Sequence, residues 1–101
     1  METKYLKINP ADNVVVAITD LKAGEIISDE GADLVLKEDV PAGHKVTLKN
    51  LTEGENVIKY GYPIGYATEN IKKGEHVHSH NMKTKLGDIL SYEYAPEFSE
   101  L

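Results

Sequence analysis

One short pattern occurs three times in this chain and restricts its fold more than any other feature. Residues 17–27 read AITDLKAGEII, residues 47–58 TLKNLTEGENVI and residues 67–78 ATENIKKGEHVH. Each copy holds an Asp or Asn (Asp20, Asn50, Asn70), then an aliphatic residue (Leu21, Leu51, Ile71), then Gly-Glu (Gly24-Glu25, Gly54-Glu55, Gly74-Glu75). Asp and Asn side chains accept backbone N–H bonds and so hold tight turns. The aliphatic residue pins the turn to a core. The glycine supplies the left-handed backbone that ends it. The residues after Gly-Glu read as a new strand, so each copy is strand–turn–strand. Spacings of thirty and then twenty residues are too irregular for a solenoid. The expected fold is all-β, a small domain of several short strands with three related corners.

The other segments agree. KYLKI (4–8), NVVVAI (13–18) and DLVLK (33–37) read as strands, with EGAD before the last as a turn. PAGHKVTL (41–48) opens on a turn and enters a strand. KYGYPIGYA (59–67) mixes two glycines and a proline with three tyrosines, which predicts an irregular, aromatic-rich connection. No segment keeps a 3.6-residue apolar period, so no amphipathic helix is expected. The domain is expected over residues 1–90. The acidic, aromatic stretch SYEYAPEFSEL (91–101) is expected to be a tail or linker.

Composition removes several function classes. The net charge is −6, which opposes nucleic acid and gives no attraction to an anionic membrane. All 11 cationic residues are lysines, so bidentate guanidinium clamping of an anion is excluded. There is no cysteine, which excludes disulfides, thiolate zinc sites and thiol nucleophiles. No apolar run approaches the ~20 residues that span a bilayer, and the N-terminus lacks a signal core. A cytoplasmic protein is expected.

The residues able to do chemistry are few. GEHVHSHN (74–81) places His76, His78 and His80 at every second position. On an extended strand they share one face, with Val77 turned to the core. A His-x-His pair on one face can chelate a metal ion, but two ligands do not complete a site, and His44 is the one other histidine. Read from residues alone, the alternatives are a solvated strand face and a functional site. GHK (43–45) puts His44, able to act as acid or base near neutral pH, beside the cation of Lys45. KYG (59–61) puts Lys59 and Tyr60 before a glycine that allows close backbone approach. Glu25, Glu55 and Glu75 recur inside the turn motif, which points to a structural role.

Taken in order, DNVVVAITDLKAGE, PAGHKVTL, ENVIKYGYPIGYAT and IKKGEHVHSHN resemble the N-terminal domain of the altronate dehydratase family. That family includes galactarate dehydratase and the small subunit of sulfolactate sulfo-lyase. The resemblance runs from about Tyr5 to about Phe98, and SYEYAPEF is similar to the linker of altronate dehydratases proper. It implies a SAF-type β-clip fold and a hydro-lyase reaction of hexuronate catabolism: D-altronate to 2-dehydro-3-deoxy-D-gluconate plus water. It also implies a divalent metal, Fe2+ or Mn2+, and a much larger catalytic region as partner. The chain is then expected to be an excised domain or a small subunit, inactive alone, with oligomer formation open. The resemblance marks the positions His44, Lys45, Lys59, His78, His80 and Asn81 without assigning their roles; from residue chemistry, His44, Lys45, His78 and His80 are the expected catalytic positions. Lys45, Lys59 and Asn81 are the expected substrate contacts, and His78 and His80 the expected metal ligands. His76 is the weaker candidate. The alternative function is a non-catalytic module that binds the sugar acid or steadies assembly, or the small subunit of a related lyase.

Overall fold

A computed structural model describes residues 3–84; the expected tail at 91–101 and the domain boundary at 90 lie outside the described residues. Within them the repeated pattern forms the three expected corners, and a fourth joins them at Asp39-Val40-Pro41-Ala42-Gly43. The four corner glycines, Gly24, Gly43, Gly54 and Gly74, all adopt left-handed φ angles, of 94°, 88°, 89° and 90°. Corners clasp in pairs. Ala42 N donates to the Asp20 carboxylate and Ala23 N to that of Asp39, both at 2.9 Å. Lys73 N donates to the Asn50 side chain at 2.8 Å and Glu53 N to that of Asn70 at 2.9 Å. Antiparallel bridges Leu21↔Val40 and Leu51↔Ile71 bind each pair. The uneven spacing of three motifs is thus the even spacing of two pairs, with Pro41-Ala42-Gly43 hiding the fourth copy.

The strands are β1 (Tyr5–Leu6), β2 (Val14–Ala17), β3 (Ile26–Asp29), β4 (Ala32–Val35), β5 (Lys45–Thr47), β6 (Asn56–Lys59), β7 (Tyr62–Ala67), β8 (His76–Val77) and β9 (Met82–Thr84). They form a four-stranded sheet in the order β1-β2-β5-β8, the hairpin β3-β4, and a three-stranded sheet β6-β7-β9. Each pairing is antiparallel. The all-β fold is as expected, and no helix among the described residues is long and apolar enough to cross a membrane.

Each clasped pair encloses its own core. Val15, Ala17, Leu21, Ile27, Leu34, Leu36, Val40 and Val46 fill the first. Val14, Leu51, Val57, Ile64, Ala67, Ile71 and Val77 fill the second. The β-branched residues favour the pleated strands, and the aliphatic residue of every corner is buried. Strand β5 serves both halves, pairing β2 on one side and β8 on the other.

Residues 59–67 form the turn and second strand of a hairpin, where a connection was expected, and the expected irregularity is a register slip beside Pro63. Tyr60 and Gly61 both take positive φ, 62° and 71°, the geometry of a two-residue hairpin turn. The buried Asp12 carboxylate holds that turn by accepting Tyr60 N at 3.2 Å and Gly61 N at 2.7 Å. Pro63, which cannot donate to the ladder, sits where the register slips between Val57↔Gly65 and Ile58↔Pro63.

Candidate functional site

Strand β5 is short and central, and its first residue is the largest fully buried side chain among the described residues: Lys45, 1% exposed. Register places Lys45 opposite Val77 and Val46 opposite His76. This brings the GHK turn against the GEHVHSHN segment. All four histidines therefore meet, although His44 lies more than thirty residues from the others in the chain.

The imidazoles form a stack. The His44 and His78 ring centroids lie 3.6 Å apart with planes 12° from parallel. His44 and His76 lie 4.9 Å apart at 23°. His80, exposed, tilts against His76 at 4.8 Å and 42°. His44 Nδ1 approaches His76 Nε2 to 2.7 Å, a separation that requires one N–H between them. His78 Nδ1 is buried and has no hydrogen-bond partner.

The expected strand face is not what gathers these rings. β8 ends at Val77, and residues 78–81 form a turn closed by Asn81 N donating to His78 O at 3.1 Å. The cause is Asn81 itself, 4% exposed. Its Oδ1 accepts His78 N at 3.0 Å and its Nδ2 donates to His76 O at 2.8 Å. Both ends of the Asn81 amide, a residue expected to contact substrate, are engaged by the backbone that carries the histidines. His76, the weaker candidate, is the hydrogen-bond partner of His44.

Burial and neighbouring charge disfavour protonation of His76 and His78. Burial, then the neighbouring His44, Lys45, His76 and His80 charges, push the His78 pKa down to about 4. His76 is lowered by burial and by His80 and His44, against the opposing pull of Glu38. Lys45 is pushed down to about 8, mainly by burial and next by Lys59. Lys59, 5% exposed, is lowered by burial and steadied by Asp12. Its Nζ lies 5.0 Å from the Tyr60 ring centroid. Among the described residues neither buried lysine makes a salt bridge. Burying two like charges side by side is unfavourable unless one is neutral or an anion joins them.

The expected metal ligands do not fit a complete metal centre here. Among the described residues no three histidine or acidic side chains are grouped to hold an ion. What the arrangement can do is accept, hold and pass protons through imidazoles, beside cations able to receive a carboxylate.

Sequence reasoning missed two supporting residues. Glu38 accepts His76 N at 3.1 Å across 38 positions, a contact with no local signal. Asp12 was detectable as a turn former in NPADN, but its bond to the distant KYG turn was not.

A family model described as the altronate/galactarate dehydratase SAF domain matches residues 3–85. Altronate dehydratase of Escherichia coli (strain K12) is 47% identical over 98 residues, covering 97% of this chain and 20% of that protein. Altronate dehydratase of Bacillus subtilis (strain 168) is 43% identical over 96 residues, covering 95% of this chain and 19% of that protein. (2R)-Sulfolactate sulfo-lyase subunit alpha of Chromohalobacter salexigens is 37% identical over 86 residues, covering 77% of this chain and 92% of the subunit. The chain thus spans about one fifth of the two dehydratases and nearly the whole of the sulfo-lyase subunit.

Proposed function

Since this chain belongs to the altronate/galactarate dehydratase SAF domain family, we propose that it is the N-terminal domain or small subunit of a sugar-acid dehydratase. The proposed reaction converts D-altronate to 2-dehydro-3-deoxy-D-gluconate plus water. The large catalytic region is the partner, and this chain alone does not turn over. The lack of cysteine suits a reducing cytoplasm, where we place it.

The observation that carries the reading is the gathering of four imidazoles beside the buried Lys45, whose charge Lys59 in turn opposes. Removing water from a 2,3-dihydroxy acid needs a base for the C2 proton, a cation for the carboxylate and an acid for the departing C3 hydroxyl. Lys45 and Lys59 receive the carboxylate, which relieves their mutual repulsion. The imidazole relay moves the protons: His44 and His76 share one N–H and pass it between them, while His78, neutral at pH 7, offers the free Nδ1. His80, exposed at the rim, faces the large region. A divalent ion, Fe2+ or Mn2+, would act as a Lewis acid on the developing charge. We assign it to the large region.

In the complete enzyme, replacing both His78 and His80 with Ala is expected to lower kcat by about 10²-fold or more. Lys59→Met is expected to act mainly on KM. Turnover near wild type in the double histidine variant would sink the proposal. A second reading, an assembly module, draws on Ile26 and Val35, which pair across the β3–β4 hairpin and are each 55% exposed. Under that reading histidine loss leaves kcat intact, and polar substitution of Ile26 weakens assembly.

A further inference from the structure

Three of the four corners use the glutamate after the glycine in one way. Lys22 N donates to Glu25 at 2.7 Å, Thr52 N to Glu55 at 3.0 Å and Lys72 N to Glu75 at 2.8 Å. Each carboxylate reaches back three residues to cap the amide of its own turn. The fourth corner has the same backbone. His44 N donates to Pro41 O at 3.0 Å, as Glu25, Glu55 and Glu75 N donate to Lys22, Thr52 and Lys72 O at 3.1, 2.9 and 2.9 Å. Its glycine φ matches the others. Two residues differ: the amide position is Pro41, which has no N–H, and the glutamate position is His44.

We propose that Pro41 is a positioning residue: by deleting the amide that the side chain at position 44 would otherwise cap, it releases His44 to join His76. The two differences are one device. A proline at this corner makes a capping carboxylate purposeless, and an imidazole takes its place without loss to the turn. An unprotonated imidazole nitrogen is itself an acceptor. An amide at position 41 would therefore compete with His76 for His44, and the 2.7 Å contact would be shared or lost. The corresponding corner of the other half, at Lys72 and Glu75, keeps its cap, which is why the domain carries one such site and not two. The catalytic meaning of this device rests on the proposed function; its structural part stands on the likeness of the four corners.

The test uses this chain with nitrogen-15 label, as Pro41→Ala and as the double variant Pro41→Ala with His44→Glu. In P41A the imidazole nitrogen resonances of His44 and His76 are expected to shift together, as the new amide draws His44 back. In the double variant the introduced carboxylate is expected to cap the new amide and slow its hydrogen exchange by about tenfold relative to a third variant, Pro41→Ala with His44→Ala, which has no side chain to cap it, the effect of one hydrogen bond of about 1.4 kcal/mol. Unmoved His44 and His76 resonances in P41A would overturn the proposal. So would a residue-41 amide that exchanges as fast in the double variant as in Pro41→Ala with His44→Ala. Neither readout involves turnover, so failure here is distinct from failure of the dehydratase reading.

Discussion

Lys45→Met is expected to strengthen the fold while removing a group that the proposed reaction needs. Lys45 is 1% exposed and its pKa falls from the ordinary 10.5 to about 8. Below pH 8 it is protonated in both the folded and unfolded chain, and the folded chain bears the full cost of the buried charge. Above pH 10.5 it is neutral in both, and that cost is gone. At about 1.36 kcal/mol per pH unit, the gap is worth about 3 kcal/mol. Methionine fills a similar volume without a charge and is flexible enough to fit the space. At pH 7, Lys45→Met should therefore gain about 3 kcal/mol, a rise in urea midpoint of about 2 M for a domain of this size. The advantage should shrink as pH rises from 8 to 10.5, because the wild type regains stability over that window and the variant does not. Urea titrations of both proteins at pH 7, 8, 9 and 10 read this directly. A variant less stable than wild type at pH 7, or an advantage unchanged up to pH 10, would refute the assignment of Lys45 as a buried, destabilising cation.

Acid should destabilise the domain through His78. The unfolded chain takes up this proton near pH 6.5 and the folded chain only near 4, so stability present at neutral pH is lost as pH falls between those values. The ring is partly exposed, so solvent screening reduces the loss to about 1–2 kcal/mol; His78→Gln should flatten the slope in urea titrations from pH 7 to 4.5. Asn81→Ala should cost about 2 kcal/mol by removing two buried bonds and broaden the His78 and His80 NMR signals, whereas unchanged signals would deny Asn81 its positioning role. Gly74→Ala should destabilise more than Gly54→Ala. The two share a positive φ, but a Cβ at Gly74 would lie 2.6 Å from Val35 O, and one at Gly54 meets nothing within 4 Å. Thermal melts should separate them by at least about 1–2 kcal/mol.

The corner motif made the β-rich fold legible because each of its letters has a local job: an acceptor, an anchor, a left-handed glycine. The fourth corner escaped because the recurring pattern ends in Gly-Glu, and Asp39-Val40-Pro41-Ala42-Gly43-His44 breaks it at the last letter. The shorter pattern of Asp or Asn, aliphatic and glycine covers all four. His44, Lys45, Lys59, His78 and His80 were picked out from the sequence and its resemblance, and the fold does bring the histidines together. Their geometry was not legible. Period-two spacing predicts one strand face, but a side chain three residues beyond His78 closes the segment into a turn. Burial was equally hidden, since nothing in GHK says that Lys45 lies beneath the sheet while Lys49 stays in water. Such facts arise from long-range pairing, here β5 with both β2 and β8.

That shared strand binds the chemistry to the completeness of the molecule. His44 enters from the first half, and His76, His78 and His80 from the second. The two groups meet across the β5–β8 pairing, where Val46 stands opposite His76. A chain with only the second half assembled would keep His76, His78 and His80 but lack His44, and with it the 3.6 Å stack on His78. The seam is thus a logical AND over the two halves: His44 meets His76 and His78 only when both are in place.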